Sequence, residues 1–441
     1  MNRSTTTSQT ISATLERHPK GLYVLFATEM WERFGFYTLG AMLALYLRDP
    51  AQGMGWPEER ATTLVSNYLM FVYASPLIGG WLADKVTGYR MAIVIGAVFF
   101  AAGYFLLYLP SEAALYLALT LVVIGNGFFK PNVSTMVGNL YPDGSRLKDS
   151  AYNIFYMGIN IGAFLAPLVA EAMRQRFGYR PAFTIAGAGM VVCLLIFWGY
   201  SKHITGQAKG RRVMARAAEA AKTPPREIDS VPDSKRVMAL ILIFLVVIVF
   251  WMVFHQNQLT LTYFANDNTD WSAVGNVSGV VSNAINPFWV ITLTFPLIAF
   301  WRWLDMRRKE PSTPTKIAIG MFLTALSFYV MALAGWAGGN TGKVSPLWLI
   351  SAYGIVSLGE LMLSPMGLSL VSKVAPAHMR GLMMGGWFVA TAIGNKLTAI
   401  GVYWRVWDHS TFFLVLATTA LVMALVLLFL VKPLKKVMPG V

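Results

Sequence analysis

"SKHITGQAKGRRVMARAAEAAKTPPREIDSVPDSKR", Ser201 to Arg236, divides this chain, because it is too polar to enter a bilayer while its flanks are not. A hydrocarbon core about 30 Å thick takes about 20 apolar residues per helix. By that ruler six spans precede the stretch, near 22–47, 62–83, 90–109, 113–138, 151–173 and 181–201. Six follow it, near 236–262, 283–304, 315–336, 346–372, 380–404 and 411–431. The middle of the stretch, 208–222, has the pattern of a basic amphipathic helix lying on the membrane surface, ended by Pro224 and Pro225. Of 441 residues, 56% are hydrophobic and 13% charged, against about 25% charged in soluble domains. The expected fold is an all-α membrane protein with residues 1–201 as one six-helix bundle, 202–235 as a linker and 236–441 as a second bundle.

Lysine and arginine set the orientation, since loops rich in them stay on the cytoplasmic side. With a cytoplasmic N-terminus, 26 of the 36 basic residues fall in cytoplasmic loops and 7 outside. Both termini and the linker are therefore expected in the cytoplasm. The net charge of +15 then reflects topology, and nucleic acid is not an expected partner. The single cysteine, Cys193, lies in an apolar run, which leaves no disulfide framework and no thiolate metal site. The polar first 20 residues do not read as a removable signal. The halves echo each other: "GGWLADKVTGYR" follows the second span and "FWRWLDMRRKEP" the eighth, each a basic turn with an acid. Duplicated six-helix halves of this kind describe a major facilitator transporter. Gly80, Asp84, Lys85, Gly88 and Arg90 resemble that superfamily's loop signature with one extra residue. Asp84 is expected either to latch, on a helix N-terminus or on Arg90, or to be a plain turn residue.

Few ionisable residues lie inside the spans: Glu29, Glu32, Arg33, Lys130, His255, Glu360 and Lys396. A charge at mid-membrane costs about 2.5–3.5 kcal/mol on insertion scales, so each needs a reason. Glu29 and Arg33 are four apart and share a helix face, with Glu32 turned partly aside. One arginine cannot neutralise both acids, and Lys130, deep in the fourth span before Pro131, is the obvious counter-charge. Glu360 is equally deep in the tenth span. Both are expected to face one central wet cavity, as static pairs or as working groups. Buried pairs often fail to outdo apolar packing, which favours work. Lys396, near the outer end of the eleventh span, can snorkel.

The resemblance now becomes specific. Glu29-x-x-Glu32-Arg33-Phe34-x-x-Tyr37 is similar to the first-helix motif of proton-dependent oligopeptide transporters. "GNGFFKPNVSTMVGNLY" (125–141), "FYMGINIGAFLAPL" (155–168), "INPFWVI" (285–291) and "GELMLSPMGLSLVSKVAP" (359–376) also resemble that family, in order along the chain. The resemblance implies that Glu29, Glu32 and Arg33 couple proton and substrate binding. It implies that Lys130 and Glu360 receive the two ends of a peptide, Glu360 the amino end. Tyr37, Tyr68, Asn160, Asn286 and Trp387 match positions lining the family's pocket, although Tyr68 and Asn160 also read as helix-packing hydrogen bonds. A zwitterionic di- or tripeptide suits a cavity with cations at one end and an acid at the other. Protonating Glu29 or Glu32 would free its basic partner for the substrate carboxylate.

Departures from the family are as informative. Phe36 stands where many members have tyrosine, and Gly40 where many have a second arginine. In "FWMVFHQNQLTLTYF" (250–264), His255 replaces the usual acid. That arginine and acid can pair across the halves, so the outer gate here is expected to close by packing or through His255. His255 itself reads either as a proton switch or as a neutral histidine packed in the bundle. The short linker leaves no room for two extra helices, which points to a compact bacterial form in the inner membrane. The expected function is proton-coupled import of di- and tripeptides by alternating access, by a monomer, without metal or cofactor. The alternative cargo is nitrate, an amino-acid conjugate or a drug. No nucleophile triad, metal motif or phosphate loop suggests an enzyme.

Overall fold

A computed structural model describes residues 18–141, 147–204, 227–275 and 277–438. The surface helix expected over 208–222 lies outside the described residues. In the first half the helices are α1 (Lys20–Arg48), α2 (Glu58–Leu82), α3 (Tyr89–Leu106), α4 (Glu112–Asn139), α5 (Leu147–Phe177) and α6 (Tyr179–Gly199). In the second, the seventh span is α7 (Asp233–Phe254) followed by the short α8 (Thr260–Asp267). The remaining spans are α9 (Ile285–Met306), α10 (Thr313–Gly338), α11 (Leu347–Val374), α12 (Arg380–Leu397) and α13 (His409–Val437). Ten spans are long and apolar enough to cross a membrane by composition alone. The two others are α1, with its three charges, and α12, which is 18 residues long.

Packing repeats between the halves. In the first, α1 lies against α5 and α6, α3 against α4 and α6, and α2 against α4. In the second, α7 lies against α12 and α13, α10 against α11 and α13, and α9 against α11. The halves meet through α2 on α12 and α5 on α9, two pairings that a two-fold operation exchanges.

Glycine makes the closest repeated contact. A Cβ on Gly96 of α3 would lie 2.7 Å from the carbonyl oxygen of Gly125 on α4. A Cβ on Gly320 of α10 would lie 2.7 Å from that of Gly359 on α11. Between membrane helices, where no hydrophobic effect drives association, such close backbone approach supplies the contact energy. Gly125 and Gly359 directly precede Asn126 and Glu360, so the tight crossings fix the height of a polar side chain in each half. Cys193 is buried and reaches the carbonyl oxygen of Thr28 at 3.4 Å.

Two spans expected to be continuous are not. The seventh changes to a 3₁₀ turn at His255–Gln258 and breaks at Leu259 (φ −134°, ψ −97°) before α8 resumes. Side chains take over the backbone bonding: Thr262 donates to the carbonyl of Asn257 at this break, and Gln256 to that of Thr398 in the eleventh span. The eleventh span ends as α12 at Leu397 and continues as a 3₁₀ turn, Thr398–Arg405. Breaks like these survive at membrane depth only where protein satisfies the freed groups.

Candidate functional site: a charged chamber between the halves

Glu29, Glu32 and Arg33 are all at least 97% buried. Both oxygens of Glu32 take guanidinium donors from Arg33, Oε1 from Nη2 at 2.6 Å and Oε2 from Nε. Glu29 has less: its Oε1 is 3.5 Å from Arg33 Nε, and its Oε2 has no hydrogen-bond partner among the described residues. Arg33 also lies over the Phe36 ring at 4.7 Å and faces Asn126 Oδ1 at 3.4 Å. Asn126 is held for this by donating to the carbonyl of Val72 at 2.6 Å. The first-helix trio is thus one tight pair and one under-compensated acid.

Lys130 lies in the field of Arg33, Glu32 and Glu29, yet among the described residues no carboxylate is within ion-pair distance of it. Its ammonium sits over the ring of Tyr73, 4.6 Å from the centroid. The hydroxyl of Tyr73 meets His255 Nε2 at 3.2 Å. His255 is 2% exposed and stacked on Trp251, with ring centroids 5.0 Å apart, and its Nδ1 has no hydrogen-bond partner among the described residues. Tyr73 therefore joins the Lys130 cation of the first half to the helix break of the second.

In the second half, Asn286 Nδ2 donates to Glu360 Oε2 and to Ser357 Oγ, both at 2.9 Å. Glu360 is partly accessible, as is Tyr37. Tyr37 lies in the field of Arg33 from its own helix and of Glu360 from α11, and Tyr156 in that of Glu360 and Tyr37. The charges of both halves thus converge on one set of tyrosines. Below them, toward the face bearing the chain termini, a cavity of about 300 Å³ separates α5 from α9, lined by Asn153, Tyr156, Asn160, Val290, Thr294 and Phe295 among others.

The face opposite the termini is closed by polar links between the halves. Arg48 pairs with Asp267 at 2.7 Å, and Arg405 with Glu58 at 3.1 Å. Glu171 accepts from the backbone N–H and hydroxyl of Ser278 at 2.8 and 2.6 Å. Lys396 Nζ reaches Asn67 Oδ1 at 2.5 Å. Gly40 packs beside Gln258, where a Cβ would lie 3.1 Å from the amide oxygen.

Several expectations need correction. At Gly40 the halves meet by packing on Gln258, His255 meets Tyr73 of the first half, and ion pairs nearer the surface add to the closure. Lys396 binds α2 rather than snorkelling. Asp84 accepts from the hydroxyl of Tyr89 at 2.7 Å in a π-helical turn, and no ion pair joins it to Arg90 among the described residues. Tyr68 is 4% exposed with a hydroxyl that takes no partner among the described residues, so Tyr73, five residues on, is the tyrosine that reaches the chamber. Asn160 donates to the carbonyl of Tyr156 on its own helix and lines the cavity between α5 and α9. Trp387 is 3% exposed and pressed onto Gly367, where a Cβ would fall 1.8 Å from its ring.

Asn126 and Tyr73 were missed by sequence reasoning. The signal for Asn126 is an internal repeat: Gly125-Asn126 and Gly359-Glu360 each stand directly before a five-residue run ending in proline, Pro131 and Pro365. The halves' symmetry equates Asn126 with Glu360.

The POT family model matches residues 90–223 and 215–408. The chain belongs to the POT family. This POT-family chain is 32% identical to an uncharacterised transporter, YclF, of Bacillus subtilis, over 96% of each protein. It is 29% identical to a di-/tripeptide transporter of Lactococcus lactis, over 96% of this chain and 97% of that one. Its structure matches that of a peptide transporter, POT, in complex with alafosfalin, at a TM-score of 0.85 and 32% identity over 98% and 99% of the two chains. A POT-family transporter in complex with 5-aminolevulinic acid matches at 0.84 and 28%, over 96% and 98%. The major facilitator fold expected from the sequence is the fold observed, and the chain is a multi-pass membrane transporter.

Proposed function

We propose that this protein is a proton-coupled symporter that imports di- and tripeptides by alternating access. The observation that carries the reading is the pairing of a buried Arg33 shared unequally by two acids with a Glu360–Asn286 acceptor in the other half. Cationic and anionic ends of one chamber, bridged by tyrosines, suit the termini of a zwitterion. Relatives named as di-/tripeptide transporters, and a related structure holding alafosfalin, support that cargo.

Glu29 is the acid we assign to the proton. Its charge is the less compensated of the two, since Glu32 holds Arg33 by two donors. A proton on Glu29 removes one claim on Arg33 and on the nearby Lys130, freeing cationic charge for the peptide carboxylate. Glu360 takes the ammonium. Tyr37, Tyr73 and Asn286 border the peptide backbone, Asn160 lines the cavity below it, and Tyr68 and Trp387 support the surrounding helices. His255 is the neutral, stacked partner of Tyr73.

The basic-residue count supports cytoplasmic termini, in a chain we read as a bacterial inner-membrane protein. The closed face is then external, and the cavity between α5 and α9 opens inward. Residues 1–201 and 236–441 act as the two bodies, tethered by 202–235, in a monomer. Uptake of labelled dialanine into vesicles with an imposed pH gradient tests this. Accumulation that needs the gradient and is competed by tripeptides is expected. Competition by nitrate alone would refute it. A related structure with 5-aminolevulinic acid, itself an amino carboxylate, makes that compound the second competitor to try.

A further inference from the structure

A second cavity lies outside the chamber. It occupies about 620 Å³ on the external face, within the about 300–1,000 Å³ usual for small-ligand sites. It straddles the halves: Arg48, Asp49, Trp56, Glu58 and Tyr179 line it from the first, Asn266 and Arg405 from the second. Both signs of charge are present, with apolar wall from Trp56, Leu45 and Pro50. Trp56 is held in place by Arg60, whose guanidinium lies 3.8 Å from its ring centroid.

The charges there are unevenly used. Glu58 Oε2 is shared, 3.1 Å from Arg48 Nε and 3.1 Å from Arg405 Nε. Glu58 Oε1 and Arg48 Nη1 are buried and have no partner among the described residues. Arg405 keeps 66% of its side-chain surface exposed, against 10% for Glu58. So the weakest member of a cross-half link stands at the mouth, with a cationic fork largely unengaged. An anion alone would meet Asp49 and Glu58, and a cation alone would meet the two arginines. A molecule carrying both charges meets a partner for each.

We propose that this vestibule is a weak docking site for the zwitterionic peptide, separate from the central chamber, and that docking there loosens the closed face. This rests on the peptide reading above. The peptide carboxylate competes with Glu58 for Arg405, and its ammonium lies toward Asp49 and Glu58. Glu58 then retains Arg48, within its own half, and the link from α2 to the turn after α12 is released. Substrate arrival and gate release become one exchange of partners.

The test is direction-resolved transport of dialanine in oriented vesicles, with Arg405→Gln, Arg405→Lys and equilibrium dialysis of dialanine on the solubilised protein. Docking predicts that Arg405→Gln raises the external KM about three- to tenfold while the internal KM does not follow, and that Arg405→Lys restores most of the loss. A residue that only locks the gate would alter maximal rate and dialysis affinity instead. An unchanged external KM, or equal changes from both sides, overturns the proposal. If the unmutated protein took up no dialanine, the peptide reading would fall, and that result is visible before any variant is made.

Discussion

At the scale of single residues, the three first-helix charges are not equivalent. Removing the Glu32 carboxylate strands Arg33 in a site with almost no water access, and breaking a buried pair in this way costs about 3–5 kcal/mol. Glu32→Gln is therefore expected to lower the melting temperature in detergent and to abolish all transport. Glu29→Gln removes a carboxylate with one distant contact and one empty oxygen, so it is expected to melt close to the parent. It should lose gradient-driven accumulation while keeping dialanine counterflow, which needs no net proton movement. Equal loss of both activities would contradict the assignment. Tyr73→Phe leaves His255 without its hydroxyl partner, a cost of about 1–3 kcal/mol for a buried polar group, readable in the same melts. The charges were legible in the sequence because a bilayer makes any ionisable residue conspicuous. Which tyrosine reaches them was not. Tyr68 and Tyr73 differ in helical phase relative to α4 and α7, and phase is set by packing that no motif spells out.

At the scale of elements, the twelve spans were readable because about 20 consecutive apolar residues leave little choice of structure. Their interruptions were not. The seventh span was read as continuous over 236–262, and its break at "HQNQ" is tolerated because Thr262 caps the carbonyl of Asn257 and Gln256 that of Thr398 at the neighbouring break. The glycine crossings were equally hidden, since a glycine in an apolar run says nothing about which backbone approaches it. Their consequence is testable. Gly359→Val places a branched side chain against the Gly320 carbonyl of α10 and shifts Glu360 with it. Overpacking of this kind costs about 1–3 kcal/mol. A lower melting temperature, together with a dialanine affinity weakened more than in Gly199→Val, is expected. Gly199 has nothing within 4 Å of its Cβ position, so it serves as the control.

At the scale of the whole molecule, the two-fold repetition of contacts was foreshadowed by the linker and the paired cytoplasmic turns, but the state of the gates was not. Arg48 and Asp267 are 219 residues apart, and no local pattern announces such a partner. Among the links on the face opposite the termini, Glu171 is the most buried, and hydrogen bonds to a charged group contribute about 1.5–3 kcal/mol. Glu171→Gln is expected to shift the resting population toward opening of that face by about tenfold or more. Spin-label distances between α5 and the 278–284 turn would lengthen in proportion; an unchanged distribution would mean that the link is incidental. The break before Leu259 bears on how such opening is shared out. α8 hangs from the rest of its span by a single non-helical joint, and Arg48 clasps its far end. With the clasp undone, that end is still held by the Asn268–Val344 bridge and by Asn266 on the Gly279 N–H. Any pivot about the joint therefore carries the 268–279 and 342–344 segments along with α8, which makes the hinge and its neighbours one moving piece.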